Sequence, residues 1–240
     1  MVSHYSLDGL RLDTALYMPR DFLREFQHEA GVLILGEVVM YNFSLHRSYI
    51  GGKSVGGKGP LSSLLNFPLT EHLKFIFSQD GNMMALRALI EKQDAEAYPL
   101  GGSLLGNFID NHDSPRFLFN HSNEGPQKSL AQLRNALTFA MFWHGLPIVY
   151  YGTEHVSVSN VSDNRMSMWT SGFAETPLGA FLRRTHAQRA RYGLTHGGQN
   201  ATLSGVVESA DEHSMVFVRG GVRVTVNNIG NEPTVVDAHV

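Results

Sequence analysis

The sequence predicts an α/β fold built on a parallel sheet, followed by a small antiparallel β domain. Short apolar runs alternate five times with segments of helical periodicity up to residue 192. This order is typical of parallel strands joined by right-handed helical crossovers. After Gly193 the chain changes to short β-branched runs separated by Gly and Asn, which is typical of antiparallel strands. We therefore assign residues 1–192 to the α/β part and residues 193–240 to the β domain.

The first two units of the α/β part precede residue 60. A strand is predicted over 8–13, and a helix over 18–30 has a proline near its start and a glycine after its end, as helix termini favour. Residues 32–39 (Val-Leu-Ile-Leu-Gly-Glu-Val-Val) predict a strand buried on both faces, as in a parallel sheet. A loop is predicted from about 40 to 60.

Three further strands continue the pattern. Strands are predicted over 62–66, 104–110 and 146–151, with helices over 69–77, 82–97, 127–143 and 177–192. A complete (β/α)8 barrel takes about 250 residues, so five units form only part of one. In the β domain, strands are predicted at Met215–Val218 and Val222–Val226.

The composition limits the classes of function. With 240 residues and 42% hydrophobic content, the chain can bury a sizeable core. A net charge of −3 and a pI near 6.4 give no basic surface for nucleic acid or anionic lipid. No apolar stretch is long enough to predict a membrane span, and the absence of cysteine excludes disulfides and thiolate metal sites. The first residues predict no signal peptide, and the compartment and oligomeric state stay open.

Three carboxylates near the ends of predicted strands are the candidate catalytic groups. Asp13 ends the first strand, Glu37 lies in the second and Asp113 follows the fourth. The carboxyl ends of parallel strands meet at one rim, so we expect these side chains to converge, with Arg11 against Asp13. Singly each is a weak indication, because an aspartate after a strand is more often a helix cap. His112 alone would more often be a structural histidine.

Taken together, these segments resemble a known family. Gly-Leu-Arg-Leu-Asp at 9–13, Gly-Glu-Val at 36–38 and Phe-Ile-Asp-Asn-His-Asp at 108–113 resemble, in the right order, three hallmark segments of the α-amylase superfamily (glycoside hydrolase family 13). Further likeness lies at 145–154, at Asn164-Arg165 and at 169–173. The resemblance covers residues 5 to about 192 and is closest to fungal-type α-amylases. It implies strands four to eight of a TIM barrel, followed by the start of the C-terminal β domain.

The resemblance also implies roles for five residues. Asp13 is the nucleophile that forms a covalent glycosyl-enzyme, and Glu37 is the general acid that later activates water. Asp113 is the third carboxylate, which grips sugar hydroxyls and stabilises the transition state. Arg11 keeps Asp13 ionised, and His112 donates a hydrogen bond to the sugar at the cleavage point. The implied activity is retaining hydrolysis of α-1,4-glucosidic bonds in starch or maltooligosaccharides.

The chain departs from the family pattern in two ways. Counterparts of the first three barrel strands are missing, so we expect a fragment with little activity or solubility alone. The alternative is a truncated, non-catalytic relic or an incomplete gene model. Where many α-amylases carry Lys-His, this chain has Leu16-Tyr17. The family implies calcium, for which the Tyr17 backbone carbonyl remains a possible ligand, and the changed pair implies different contacts to the leaving part of the substrate.

A nucleotide-binding protein is the weak alternative from another class. Gly52–Lys58 (Gly-Lys-Ser-Val-Gly-Gly-Lys) resembles a phosphate-binding loop. Gly59 stands where such loops need Ser or Thr to hold magnesium, and Pro60 follows instead of a helix. A surface loop is therefore the favoured interpretation.

Overall fold

A computed structural model describes residues 2–52, 57–78, 81–96, 98, 102–120, 125–156, 164–195, 198–200 and 203–238. The helices are α1 (Val2–Tyr5), α2 (Arg20–Ala30), α3 (Phe43–Arg47), α4 (Phe67–Ile76), α5 (Met83–Ala95), α6 (Phe117–Asn120), α7 (Pro126–Phe142) and α8 (Pro177–Arg191). The strands are β1 (Gly9–Leu12), β2 (Leu33–Gly36), β3 (Gly51–Gly52), β4 (Gly57–Lys58), β5 (Ser63–Leu64), β6 (Gly106–Asn107), β7 (Leu146–Pro147), β8 (Val206–Ala210), β9 (Ser214–Arg219), β10 (Val222–Asn227) and β11 (Thr234–Asp237).

Five parallel strands form an open arc. β1 pairs with β2 and β2 with β5, while β6 pairs with β7 in a second short sheet. A parallel bridge between Leu65 and Gly106 joins the two sheets. Each strand is followed by helical chain before the next, as the alternating pattern predicts. Within the described residues, β1 and β7 are the ends of the arc.

The paired strands are shorter than predicted. The run predicted over 146–151, for example, pairs only at Leu146–Pro147, with one further bond from the Ile148 N–H to the Asn107 carbonyl at 2.8 Å. Pro147 has no N–H to donate, and the residues after it are not paired as strand. The apolar run 146–151 is therefore longer than the part of it that pairs with β6.

Residues 40–60 are not only loop. α3 begins after Asn42, whose side chain accepts the Leu45 N–H at 3.0 Å, a common N-cap arrangement. β3 and β4 then form an antiparallel pair. Residues 53–56 of the phosphate-loop-like segment lie outside the described residues.

Helix α2 starts and stops close to its predicted bounds. Pro19 is the residue before its first turn, and Gly31 ends it with a φ of 66° and an N–H donated to the Gln27 carbonyl. This left-handed end needs glycine because a Cβ is strained there.

The C-terminal strands form one antiparallel sheet in the order β11-β10-β9-β8. β8 and β11 were not predicted, because Val-Val-Glu-Ser-Ala and Thr-Val-Val-Asp show no strict alternation of apolar and polar residues. Phe217 of β9 is fully buried and packs edge-on against Phe139 and Trp143 at the end of α7. The sheet thus shares a hydrophobic core with the α/β part, and the boundary at residue 193 stays a prediction.

In the part of the chain that the structure describes, no helix is both long and apolar enough to cross a lipid bilayer.

Candidate active site

The ends of β1 and β2 bring two carboxylates to one rim. Leu12 and Gly36 face each other in the parallel register, and Asp13 and Glu37 are the residues that follow them. The Glu37 N–H donates to the Leu12 carbonyl at 2.8 Å, so the pairing continues to the acid itself. The order of the strands therefore places both acids at the same end of the sheet.

Glu37 is buried, with 7% of its surface exposed, and the turn after Asp13 gives it a partner. The Thr14 N–H donates to Glu37 Oε2 at 2.9 Å. Thr14 has a φ of 50° and a ψ of 29°, a left-handed conformation that costs free energy for a residue with a Cβ and is concentrated at functional sites. The turn leads directly into a single turn of 3-10 helix, Ala15–Tyr17.

Arg11 contacts both acids. It lies two residues before Asp13 on β1, so their side chains share a face. Its Nη1 is 2.8 Å from Asp13 Oδ1, and its Nη2 is 3.2 Å from Glu37 Oε1. A hydrogen bond with the Glu37 carboxyl and the Arg11 guanidinium together hold the pKa of Asp13 below its ordinary value, against a smaller effect of desolvation. Asp13 is therefore suited to be the ionised member of the pair.

Asp113 and His112 line the same cleft as Asp13 and Glu37. His112 Nε2 is 2.9 Å from Asp113 Oδ2, and Arg165 Nη2 is 2.8 Å from Asp113 Oδ1. The cleft has a volume of about 500 Å³. Its lining comprises Arg11, Asp13, Thr14, Leu16, Tyr17, Glu37, Val39, His112, Asp113 and Arg165. The structure thus brings all five predicted site residues together, and their individual roles remain predictions.

A buried network holds the loop that carries Asp113. The Asn164 side-chain amide donates to the carbonyls of Asn111 and Ser114 at 3.0 and 2.6 Å. The Arg116 guanidinium donates in turn to the carbonyls of Asn164 and Tyr151 at 3.0 and 2.7 Å. Arg116 is 1% exposed and Asn164 fully buried. Three separate chain segments are therefore fixed to one another beside the cleft.

Sequence reasoning gave no role to four of these residues. Asn164 and Arg165 lie in a segment that resembles the family, but residue type alone does not show what they contact. In the sequence, the only sign of Arg116 was a charged residue next to apolar ones. Thr14 had no signal, since it contributes a backbone N–H, which every residue except proline has.

The family resemblance implies a calcium ion, for which the Tyr17 backbone carbonyl is the candidate ligand. The described ranges contain no group of three or more His, Asp or Glu side chains that could hold a metal ion. Calcium prefers six to eight oxygen ligands, so the Tyr17 carbonyl is insufficient alone and these residues do not fit the ion. Calcium stays a prediction for the complete protein, and no chemical step is assigned to it.

A larger, shallower groove of about 790 Å³ lies between the start of α7 and the loop before β11. Its acid, Glu232, is paired with Arg134, whose Nη2 lies 2.5 Å from Glu232 Oε1. Among the residues that the structure describes, the lining of this groove has no second carboxylate. This groove therefore does not offer the pair of carboxyl groups that the cleft with Asp13 and Glu37 provides.

Comparisons with known proteins agree with this geometry. The profile of the α-amylase catalytic domain matches residues 2–191. An uncharacterized glycosyl hydrolase of Schizosaccharomyces pombe is 31% identical over 240 residues, which cover 98% of this chain and 45% of that protein. Alpha-amylase 2 of Schwanniomyces occidentalis is 34% identical over 72% of this chain and 32% of its own length.

Among solved structures, an α-amylase from Malbranchea cinnamomea is similar with a TM-score of 0.82 and 30% identity, covering 95% of this chain and 46% of that one. The chain therefore spans less than half the length of these relatives, and the predicted partial barrel with strands four to eight and a following β domain is confirmed. Since the family profile matches well over half of its residues, the chain belongs to the α-amylase family of glycoside hydrolases.

Proposed function

We propose that the protein carrying this chain hydrolyses α-1,4-glucosidic bonds of starch or maltooligosaccharides with retention of anomeric configuration. The observation that carries the proposal is the shared contact of Arg11 with Asp13 and Glu37, in a cleft that Asp113 also lines. Retaining glycosidases need one ionised and one protonated carboxyl group side by side. The hydrogen bonds with Glu37 and Arg11 that lower the pKa of Asp13 support Asp13 as the ionised member, and Glu37, buried beside it, is the proposed proton donor.

In the first step, an oxygen of Asp13 attacks the anomeric carbon of the sugar. The bond from that carbon to the glycosidic oxygen breaks, and Glu37 donates its proton to the departing oxygen. The products are a glycosyl ester on Asp13 and an ionised Glu37. Asp113 and His112, whose side chains lie 2.9 Å apart in the lining of the cleft, are placed to bind sugar hydroxyls while positive charge develops on the ring.

In the second step, Glu37 removes a proton from water, and the water oxygen attacks the anomeric carbon as the Asp13 ester bond breaks. Two inversions give net retention. Negative charge alternates between the two acids: it lies on Asp13 before the first step and on Glu37 in the intermediate. Arg11 contacts both carboxyl groups, so one cation stabilises each state without moving far.

The charge of the cleft favours a neutral substrate. Both arginines in its lining, Arg11 and Arg165, are ion-paired with carboxylates. Neither is left to attract a phosphate or a sugar acid. A neutral glucan, bound through hydroxyl groups, suits this arrangement better than an anionic ligand.

Proton NMR of the first sugar released tests the proposal. The protein at its full natural length is mixed with maltoheptaose, and initial appearance of the α-anomer is expected. Initial β-anomer would overturn the retaining mechanism. The Asp13→Asn protein, purified in parallel, controls for amylase from the expression host. A folded wild-type protein that releases no sugar would instead support the non-catalytic relic.

A further inference from the structure

The chain contains four sequons of the type Asn-X-Ser/Thr, which begin at Asn42, Asn120, Asn160 and Asn200, and none of them has proline at X. This tripeptide is the acceptor for N-linked glycans, although it also occurs by chance. The structure describes the side chains of two of the four asparagines, Asn42 and Asn200. The hydrogen bonds of these two side chains differ, and the difference determines which of them is compatible with a bound sugar.

Asn42 uses only one end of its side-chain amide. Its Oδ1 accepts the Leu45 N–H at 3.0 Å and so caps α3. Within the described residues, Nδ2 of Asn42 has no hydrogen-bond partner. A glycan is attached to Nδ2 and leaves the carbonyl of the amide in place. The cap of α3 is therefore compatible with a modified Asn42.

The surface around Asn42 is open to solvent. Asn42 itself is exposed, and its neighbours Tyr41 and Leu45 are 51% and 55% exposed. Phe43 and His46, in contrast, are buried and hold α3 against the rest of the fold. A bulky group on Asn42 therefore has room outside the protein and displaces no part of the core.

Asn200 uses both hydrogens of its side-chain amide. Its Nδ2 donates to the Tyr192 carbonyl at 2.8 Å and to the Gly220 carbonyl at 3.1 Å. These two bonds join the end of α8 to the turn between β9 and β10. A glycosylated amide keeps a single hydrogen, so at least one bond would be lost and a sugar would be placed between the two segments. The folded protein therefore requires an unmodified Asn200.

We propose that Asn42 is an N-glycosylation site of this protein and that Asn200 is not. The sugar donor is a lipid-linked oligosaccharyl diphosphate. The bond from the anomeric carbon of its first sugar to Asn42 Nδ2 forms, and the bond from that carbon to the phosphate oxygen breaks. The lipid diphosphate leaves, and the amide loses one proton to a base of the transferring enzyme. The proposal requires the protein to enter the secretory pathway, and it is independent of the proposed catalysis.

Peptide mapping tests the proposal on the protein at its full natural length, isolated from the organism that makes it. Peptide N-glycosidase in heavy-oxygen water converts each glycosylated asparagine into a labelled aspartate, which mass spectrometry locates. The label is expected at Asn42 and not at Asn200. A protein without label at Asn42 would overturn the assigned site, and label at Asn200 in the folded protein would overturn the exclusion.

Variants produced in the same organism separate the glycan from the helix cap. Asn42→Asp keeps an oxygen that can cap α3 but has no amide, and Ser44→Ala removes only the hydroxyl of the sequon. Both are expected to lose the mass of one glycan, whereas Ser44→Thr should keep it.

The matched control is Asn82→Asp. Asn82 caps α5 in the same way, by accepting the Met84 N–H at 2.8 Å, but it is not part of a sequon. This variant is expected to keep the wild-type mass of attached sugar. An Asn42→Asp protein that also keeps the wild-type mass of attached sugar would refute glycosylation at Asn42.

Discussion

The Arg11 guanidinium lies 3.2 Å from Glu37 through Nη2 while Nη1 stays 2.8 Å from Asp13. One planar cation thus joins the two acids that the proposed mechanism uses in turn. A guanidinium has separate N–H groups directed at each partner, whereas an ammonium is a single point charge. The two contacts of Arg11 therefore fix the spacing between the carboxyl groups of Asp13 and Glu37 and place a positive charge between them.

Replacement of this guanidinium should change the pH dependence of catalysis. In Arg11→Lys, kcat/KM is expected to fall about 100-fold, as for loss of one preorganised donor. The hydrogen bond from the Arg11 guanidinium helps to lower the pKa of Asp13. Lysine keeps the charge but not the guanidinium geometry, so the pKa of Asp13 should rise, and activity should disappear at higher pH as the solution is acidified. The measurement is kcat/KM on maltoheptaose from pH 3 to 8. The control is Arg24→Lys, on the exposed face of α2. If the acid limb of the pH profile of Arg11→Lys stayed where it is in the wild type, the expected effect of Arg11 on the pKa of Asp13 would be contradicted.

The two acids should differ in their response to the leaving group. Glu37→Gln removes the proton donor, so activity on starch is expected to fall by about 10²–10⁴. It should recover largely on α-maltosyl fluoride, whose leaving group needs no proton. Asp13→Asn removes the nucleophile and should be inactive on both substrates. The measurement is the rate of fluoride release beside the rate on starch, and equal recovery of the two variants would show the assignment to be wrong.

Loss of the buried guanidinium of Arg116 should destabilise the fold. Arg116→Met removes the donor of the Tyr151 carbonyl and one of the two donors of the Asn164 carbonyl, which keeps the Tyr150 hydroxyl at 3.2 Å. An unsatisfied buried polar group costs about 1–3 kcal/mol, so the free energy of unfolding is expected to fall by roughly 3 kcal/mol. Urea denaturation followed by circular dichroism measures the change. Arg87→Met breaks an exposed i,i+4 pair on α5 and should cost less than about 1 kcal/mol; equal losses would count against the role of the network.

The contact between α7 and the β domain should weaken in acid. Burial, and next the charge of Arg219, lower the pKa of His144 to about 4. Its Nδ1 accepts the Gly205 N–H at 3.1 Å, which requires that nitrogen to be unprotonated. In the unfolded chain the pKa is about 6.5. The unfolded state therefore binds a proton first as the pH falls, and stability is lost between about pH 6.5 and 4.

His144→Gln should remove this contribution. Between pH 7 and pH 4.5 the variant is expected to lose less unfolding free energy than the wild type, by on the order of 2–3 kcal/mol. Urea denaturation at the two pH values measures the difference. The control is His186→Gln, because His186 is exposed on α8. Identical pH dependence of His144→Gln and wild type would show that this histidine does not carry the effect.

The sequence alone determined the order of the units and the candidate acids. Apolar runs such as Val-Leu-Ile-Leu at 32–35 identify buried strands, and strands of one direction place their carboxyl ends together. The convergence of Asp13, Glu37 and Asp113 follows from that order. The local sequence pattern could not determine how many residues of a strand pair with its neighbour, because the residues after β7 are as apolar as those within it. α3 was missed because its capping residue, Asn42, is equally typical of loops.

The tertiary structure alone decided how the acids are coupled and which surfaces face the cleft. Arg11 was expected against Asp13, but its contact with Glu37 depends on the register between β1 and β2, which sets Leu12 opposite Gly36. The contacts of the Thr14 N–H and of the Asn164 side-chain amide depend on positions that the sequence does not show. Contacts between segments distant in the chain depend on distances of a few ångströms, and those distances are fixed only when the strands pair and the loops pack.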